Sequence, residues 1–138
     1  MFFKKKIKSE NNSSYLIKIA ALLIHAAKID ENYSNEEESI IKKTLINLGA
    51  NENELQSLID KAKIIEENAN QILDFTREVK NLNELDKIKI IKSLWRIIYS
   101  NKDVDIYETN LMRRLAGLLY IDSKTMGDIK DEIKKEIY

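Results

Sequence analysis

An all-α fold, a single bundle of about seven helices, is what this sequence predicts, and three observations carry the prediction. Proline is absent and only three glycines occur, so few positions oblige the chain to leave a helix. Charged residues make up 33% of the chain and are interleaved with isoleucine and leucine at helical spacing, the pattern of packed amphipathic helices. A length of 138 with 43% apolar residues suits one core of ordinary size. Residues 1–12 read as a flexible N-terminal tail and 13–138 as the helical domain.

The first helix is expected to start at a cap on Ser13 or Ser14 and to bury Leu16, Ile19, Ala20, Leu23 and Ala27, with Lys18, His25 and Lys28 on its other side. The second begins at Ser34, carries Ile41, Leu45 and Leu48 on one stripe, and ends near Gly49, which can adopt the left-handed conformation that closes a helix. Asn51 is placed to cap a third, whose buried face is Leu55, Leu58, Ile59, Ala62 and Ile65. Asn68 and Asn70 mark a bend before a shorter helix with Ile72, Leu73, Thr76 and Val79. Asn81-Leu82-Asn83 supplies a turn and cap for the long helix from about Glu84 to Tyr99, striped by Leu85, Ile88, Ile91, Leu94, Trp95 and Ile98. Leu111, Met112, Leu115, Leu118 and Leu119 pack the next, and Met126, Ile129, Ile133 and Ile137 pack the last, started by Asp122 or Ser123.

Composition excludes several functions. Lysine plus arginine (23) equals aspartate plus glutamate (23), so no overall field draws the chain to nucleic acid. With no cysteine there is no disulfide, thiolate nucleophile or sulfur-bound metal, and a single histidine rules out motifs that need two. No glycine-rich phosphate loop, nucleophile with a base or Glu-x-x-His pair is present, so the sequence reads as that of a protein without enzymatic activity. The uninterrupted apolar run Ile19 to Ile24 is too short to span a bilayer, which points to a cytoplasmic protein. Phe2, Phe3 and Ile7 among lysines would suit contact with a membrane surface, although a loose starting tail is the commoner explanation. Lys87, Lys89, Lys92 and Arg96 would line a basic stripe for an acidic partner, or simply the solvated face of their helix. Trp95 reads as core, and His25 as exposed or half-buried.

Two oxygen-rich junctions stand out, each between an apolar helix and an amphipathic one: Asp30-Glu31-Asn32-Tyr33-Ser34-Asn35-Glu36-Glu37 and Asn101-Lys102-Asp103-Val104-Asp105-Ile106-Tyr107-Glu108. They align without a gap at an offset of 71, Asp30 onto Asn101, which also sets Leu23 on Leu94, Ser34 on Asp105, Glu37 on Glu108, Leu48 on Leu119 and Leu55 on Met126. Apolar and capping classes agree along the register, as expected of two pseudo-repeated helix pairs. Asn101, Asp103 and Asp105, like Asp30, Asn32 and Ser34, place side-chain oxygens at alternate positions, and hard oxygen ligands favour calcium, magnesium or manganese. An EF-hand is excluded, because its sixth position would be Ile106 or Asn35 and its twelfth Met112 or Ile41. The competing reading needs no metal. Ser34-x-x-Glu37 and Asp105-x-x-Glu108 are both capping boxes, each worth about 0.5–2 kcal/mol. Asp30 and Asp103 fall outside that explanation.

With Leu94-Trp95, the acidic junction, Tyr107-Glu108 and Arg113-Arg114-Leu115-Ala116, the chain resembles the TerB-like family, named after tellurite-resistance protein B, over roughly Tyr15 to Ile133. The resemblance implies an all-helical bundle whose clustered acids are proposed to bind metal, in stress response or partner recruitment. Its acidic positions fall on Asp30 and Glu37 in the first copy and on Asp103, Asp105 and Glu108 in the second. Glu31 and Lys102 stand where the family has glycine, and Asn101 where it has aspartate, so the second junction carries one charge fewer. The expected ligand set is therefore Asp30, Glu37, Asn101, Asp103, Asp105 and Glu108 for a divalent cation. The alternative is a metal-free scaffold that binds a protein partner, with those acids acting as caps.

Overall fold

In the computed structural model, residues 2–30, 33–69, 72–100 and 106–137 are described, and their side chains apart from those of 2–13, 30 and 106–108. Seven α-helices and two one-turn 3₁₀ segments make up the described residues, without a strand. The helices are α1 (Phe2–Ala27), α2 (Asn35–Asn47), α3 (Leu55–Asn68), α4 (Leu73–Lys80), α5 (Glu84–Ser100), α6 (Ile106–Leu118) and α7 (Ser123–Ile137).

Residues 16–27 of α1 and 90–99 of α5 form the buried centre, and the other helices cover them. In α1 every residue from Ile19 to Ile24 is buried, and α2, α3, α4 and α5 pack against it. A helix apolar on all sides can be satisfied only by such a wrap. In α5 the buried set is Lys87, Ile90, Ile91, Ser93, Leu94, Trp95, Ile97, Ile98 and Tyr99, covered chiefly by α7 and α2. The pairing repeats at the offset of 71: α3 lies on α1 as α7 lies on α5. The duplicated plan is therefore a packing fact as well as a sequence register, and Leu23 and Leu94, its matched core residues, are both fully buried.

Several ends form as their residues dictate. Ser34 caps α2, and Gly49 closes it at φ 108°. Asn83 caps α5 by accepting from the Asp86 N–H at 2.8 Å, and Asp122 caps α7 by accepting from the Thr125 N–H at 2.6 Å. The Asp122 bond holds its carboxyl below the usual carboxylate range.

Other expectations are corrected. Helix α1 begins at Phe2 and runs through Ser13 and Ser14, because nothing between them, neither proline nor glycine, obliges a break. Asn51 makes no side-chain cap bond and precedes a 3₁₀ turn, Glu52–Glu54, that leads into α3. Ile65 and Leu73 are exposed, since Glu66 takes the inward place one position on from the first and Phe75 that two positions on from the second. Leu85 is 73% exposed, and the buried position in the first turns of α5 goes to Lys87, whose Nζ donates to the Leu119 carbonyl at 3.1 Å. Ile137 is exposed in the last turn of α7. The basic stripe of α5 is spent within the fold: Lys92 pairs with Glu132 at 3.1 Å and Arg96 with Glu136 at 2.9 Å, both across to α7. Arg96 holds the Glu136 carboxyl low. Among the described residues, no helix is long and apolar enough to cross a membrane.

Candidate functional site

At the first junction the chain leaves α1 through the 3₁₀ turn Lys28–Asp30, and α2 starts at the Ser34 cap, whose backbone is extended (φ −92°, ψ 163°). Extended geometry at the cap turns its hydroxyl toward the open amides of the first helical turn. Ser34 Oγ accepts from the Glu37 N–H at 3.1 Å. In return Glu37 Oε1 accepts from the Ser34 N–H and the Ser34 hydroxyl, each at 2.9 Å. This is a complete capping box, and Glu37 is 0% exposed. One ligand candidate thus has a carboxylate oxygen already committed to the backbone.

A polar cover surrounds that cap. Tyr33 donates to Glu38 at 3.4 Å, Lys63 pairs with Glu38 at 3.3 Å, and the Lys63 ammonium lies 5.4 Å from the centre of the Tyr33 ring. Burial, and after it the Glu38 charge, pushes the Tyr33 hydroxyl pKa up. Nearby, Glu66 of α3 bridges the end of α1, with His25 Nδ1 at 3.2 Å from one oxygen and Lys28 Nζ at 2.7 Å from the other. The Glu66 contact raises the Lys28 pKa. His25 is half-buried as expected, and it joins two helices.

Of the expected cation ligands, only Glu37 has a described side chain. Asp30 ends the 3₁₀ turn and Glu108 lies in α6, but the side chains of both lie outside the described residues, as do Asn101, Asp103 and Asp105 altogether. The Asp105–Glu108 capping box lies outside them too. Among the described residues no group of three or more His, Asp or Glu side chains is arranged to hold a metal.

The structure brings together a second place that the sequence reading had assigned to core packing. Trp95 of α5 is 3% exposed, yet it lines an open groove of about 620 Å³ whose walls come from α6 and α7. Met112, Met126 and Ile121 extend the apolar surface, and Arg113 and Lys130 bring cations to it. Lys130 Nζ lies 5.4 Å from the centre of the indole ring, a cation–π distance. The Trp95 ring stacks on Tyr99 at 5.9 Å, while its Nε1 finds no acceptor among the described residues. The sequence signal for this groove was the run of small residues, Ala116, Gly117 and Gly127, on two helices that flank a tryptophan helix.

Neither a curated protein nor a solved structure matches the chain. The family described as tellurite resistance protein TerB matches residues 16–131, from the buried part of α1 well into α7. That span takes in both repeated helix sets and both junctions, so the chain belongs to the TerB family.

Proposed function

We propose that this chain is a non-enzymatic, cytoplasmic TerB-family module that recruits a protein partner through a helix face, with its first-junction acids serving as helix caps. The observation that carries this reading is Glu37, fully buried and accepting two hydrogen bonds from Ser34 through one oxygen. A carboxylate turned into its own helix start contributes to the fold, and the groove over Trp95 is left as the open surface suited to binding. The family description makes stress response the natural setting.

A second reading is favoured by the alternate oxygens of Asn101, Asp103 and Asp105, followed by Glu108: calcium, magnesium or manganese held at the second junction. Asp30 and Glu37 would be its first-junction counterparts.

Thermal unfolding of chelator-treated protein, titrated with each of the three cations, separates the two. Under the first reading no saturable shift occurs at millimolar cation. Glu37→Ala then lowers stability by about 1–2 kcal/mol with or without metal, while Glu37→Gln, which can still close a capping box, costs less. A saturable shift that disappears in Asp103→Asn/Asp105→Asn would overturn it in favour of the cation. At one hundred times the dissociation constant such a shift is worth about 2.7 kcal/mol.

A further inference from the structure

The groove over Trp95 is a gap in the helix layer. Helix α7 packs on α5 rather than on α6, so α6 and α7 stand apart above the tryptophan. The internal repeat marks one buried loss of bulk at the gap, Leu45 to Ala116, and two on the surface, since Ile46 and Gln56 are exposed. At the offset of 71, Leu45, Ile46 and Gln56 of the first half correspond to Ala116, Gly117 and Gly127, and Ile59, fully buried, corresponds to Lys130. The second half has lost bulk at each of the first three places and gained a charge at the fourth. A methyl group added at Gly117 or Gly127 would meet no heavy atom within 4 Å, so the space beside them is open.

The shape and charge of the gap select an occupant. Lining residues recur every three or four positions on both walls: Thr109, Met112 or Arg113, and Ala116 on α6, and Ser123, Met126 or Gly127, and Lys130 on α7. The trough therefore runs for about two helical turns, roughly 10 Å, the length over which an inserted helix presents apolar anchors at i, i+3, i+4 and i+7. Arg113 and Lys130 form no salt bridge with any described residue, whereas Asp122 at the end of the trough is engaged in capping α7. The chain's own Lys4-Lys5-Lys6 stretch has the wrong sign to sit between those cations. We propose that the groove between α6 and α7 docks an acidic amphipathic helix of a partner protein, its apolar face laid on Ala116, Gly117 and Gly127 above the buried Trp95, Met112 and Met126, and its carboxylates beside Arg113 and Lys130. This rests on the reading of the chain as a partner-recruiting module and names the partner's chemistry.

Trp95 is the chain's only tryptophan, so its emission reports on the groove directly. The probes are a short helical peptide with leucines at i, i+3, i+4 and i+7 flanked by glutamates, and its counterpart with lysines in place of the glutamates, each titrated into the full chain. The glutamate peptide is expected to change Trp95 emission saturably, and the lysine peptide to bind at least about tenfold more weakly. Gly127→Leu is expected to abolish the response while leaving the melting temperature unchanged or higher, since leucine favours a helix interior over glycine. Arg113→Glu/Lys130→Glu is expected to reverse the preference between the peptides. No emission change, equal binding of both peptides, or a response undiminished in Gly127→Leu would overturn the proposal. It would equally fall if the chain alone formed a dimer that Gly127→Leu dissolves, which makes a second copy the occupant, or if laurate alone reproduced the response. None of these outcomes alters the cation titration, and a cation shift lost in Asp103→Asn/Asp105→Asn would sink the module reading without touching the Trp95 signal.

Discussion

The turn that closes α2 and the turn that closes α6 carry the same hydrogen bonds at an offset of 71. The Ala50 N–H reaches the Leu45 carbonyl in one, the Ile121 N–H reaches the Ala116 carbonyl in the other, and both bonds measure 2.9 Å. Each turn needs one residue in the left-handed region: Gly49 at φ 108° in the first half and Tyr120 at φ 57° in the second. Glycine takes that conformation at no steric cost, whereas a side chain there costs roughly 1–2 kcal/mol. The backbone solution was kept while the residue suited to it was not. Tyr120 is 74% exposed and lies 6.0 Å below the Lys80 ammonium, so its ring makes few contacts that would offset the strain. At four further places the halves differ in the same sense, with Ala116, Gly117 and Gly127 for Leu45, Ile46 and Gln56, and Lys130 for the buried Ile59. The second half thus sets a strained turn beside the groove over Trp95.

The equivalence of the halves breaks most visibly in the core if it breaks at all. Leu23→Ala and Leu94→Ala remove matched, fully buried side chains from α1 and α5, and each is expected to cost about 2–5 kcal/mol in urea denaturation. Similar losses mean that the two central helices carry equal weight. A difference of more than about 2 kcal/mol would show that the open half tolerates cavities by relaxing.

The turns should respond in opposite directions. Gly49→Ala is expected to lower stability by about 1 kcal/mol, and Tyr120→Gly to raise it by up to about 1 kcal/mol, less the added freedom of the unfolded chain. If Tyr120→Gly destabilises, the tyrosine ring is holding the end of α6 by contact, and the strain argument fails.

The smallest effect separates the halves by pH. Burial raises the Tyr15 hydroxyl from its usual 10 to about 12, with Asp86 adding to it, and burial raises Tyr33 as well. The folded chain therefore keeps these protons to higher pH than the unfolded chain does. Their contribution is intact below about pH 10 and is lost as pH rises through the folded values. Both tyrosines belong to the first half, and their counterparts at the offset of 71 are Asp86 and Val104. Alkaline unfolding followed by phenolate absorbance should be delayed in Tyr33→Phe. A profile unchanged by Tyr33→Phe and Tyr15→Phe together would place the alkaline weakness elsewhere.

Much of this plan was legible in the residues. Ser34 and Glu37 lie three positions apart, so the bonds between them are decided within one helical turn, and the box formed as its spacing required. Gly49, Asn83 and Asp122 are local devices of the same kind. The repeat was legible as well, because apolar class survives where identity does not. What escaped was the choice among apolar residues that sit side by side on a helix. Ile65, Leu73 and Leu85 fit the helical period as well as Phe75 or Ile90, and nothing local says which of them a neighbouring helix will cover. Lys87 shows the same limit from the other side, since its burial depends on the Leu119 carbonyl, which the fold alone brings within reach.

Helix number, several helix ends, the cap at Glu37 and the duplication were readable from the residues, because they rest on interactions within about four residues or on class periodicity. Tertiary structure alone decided which stripe faces inward, where Lys87, Lys92 and Arg96 spend their charge, and that Trp95 is both core and the floor of a groove. The physical reason is that burial and charge pairing belong to surfaces, and a surface here is assembled from residues tens of positions apart.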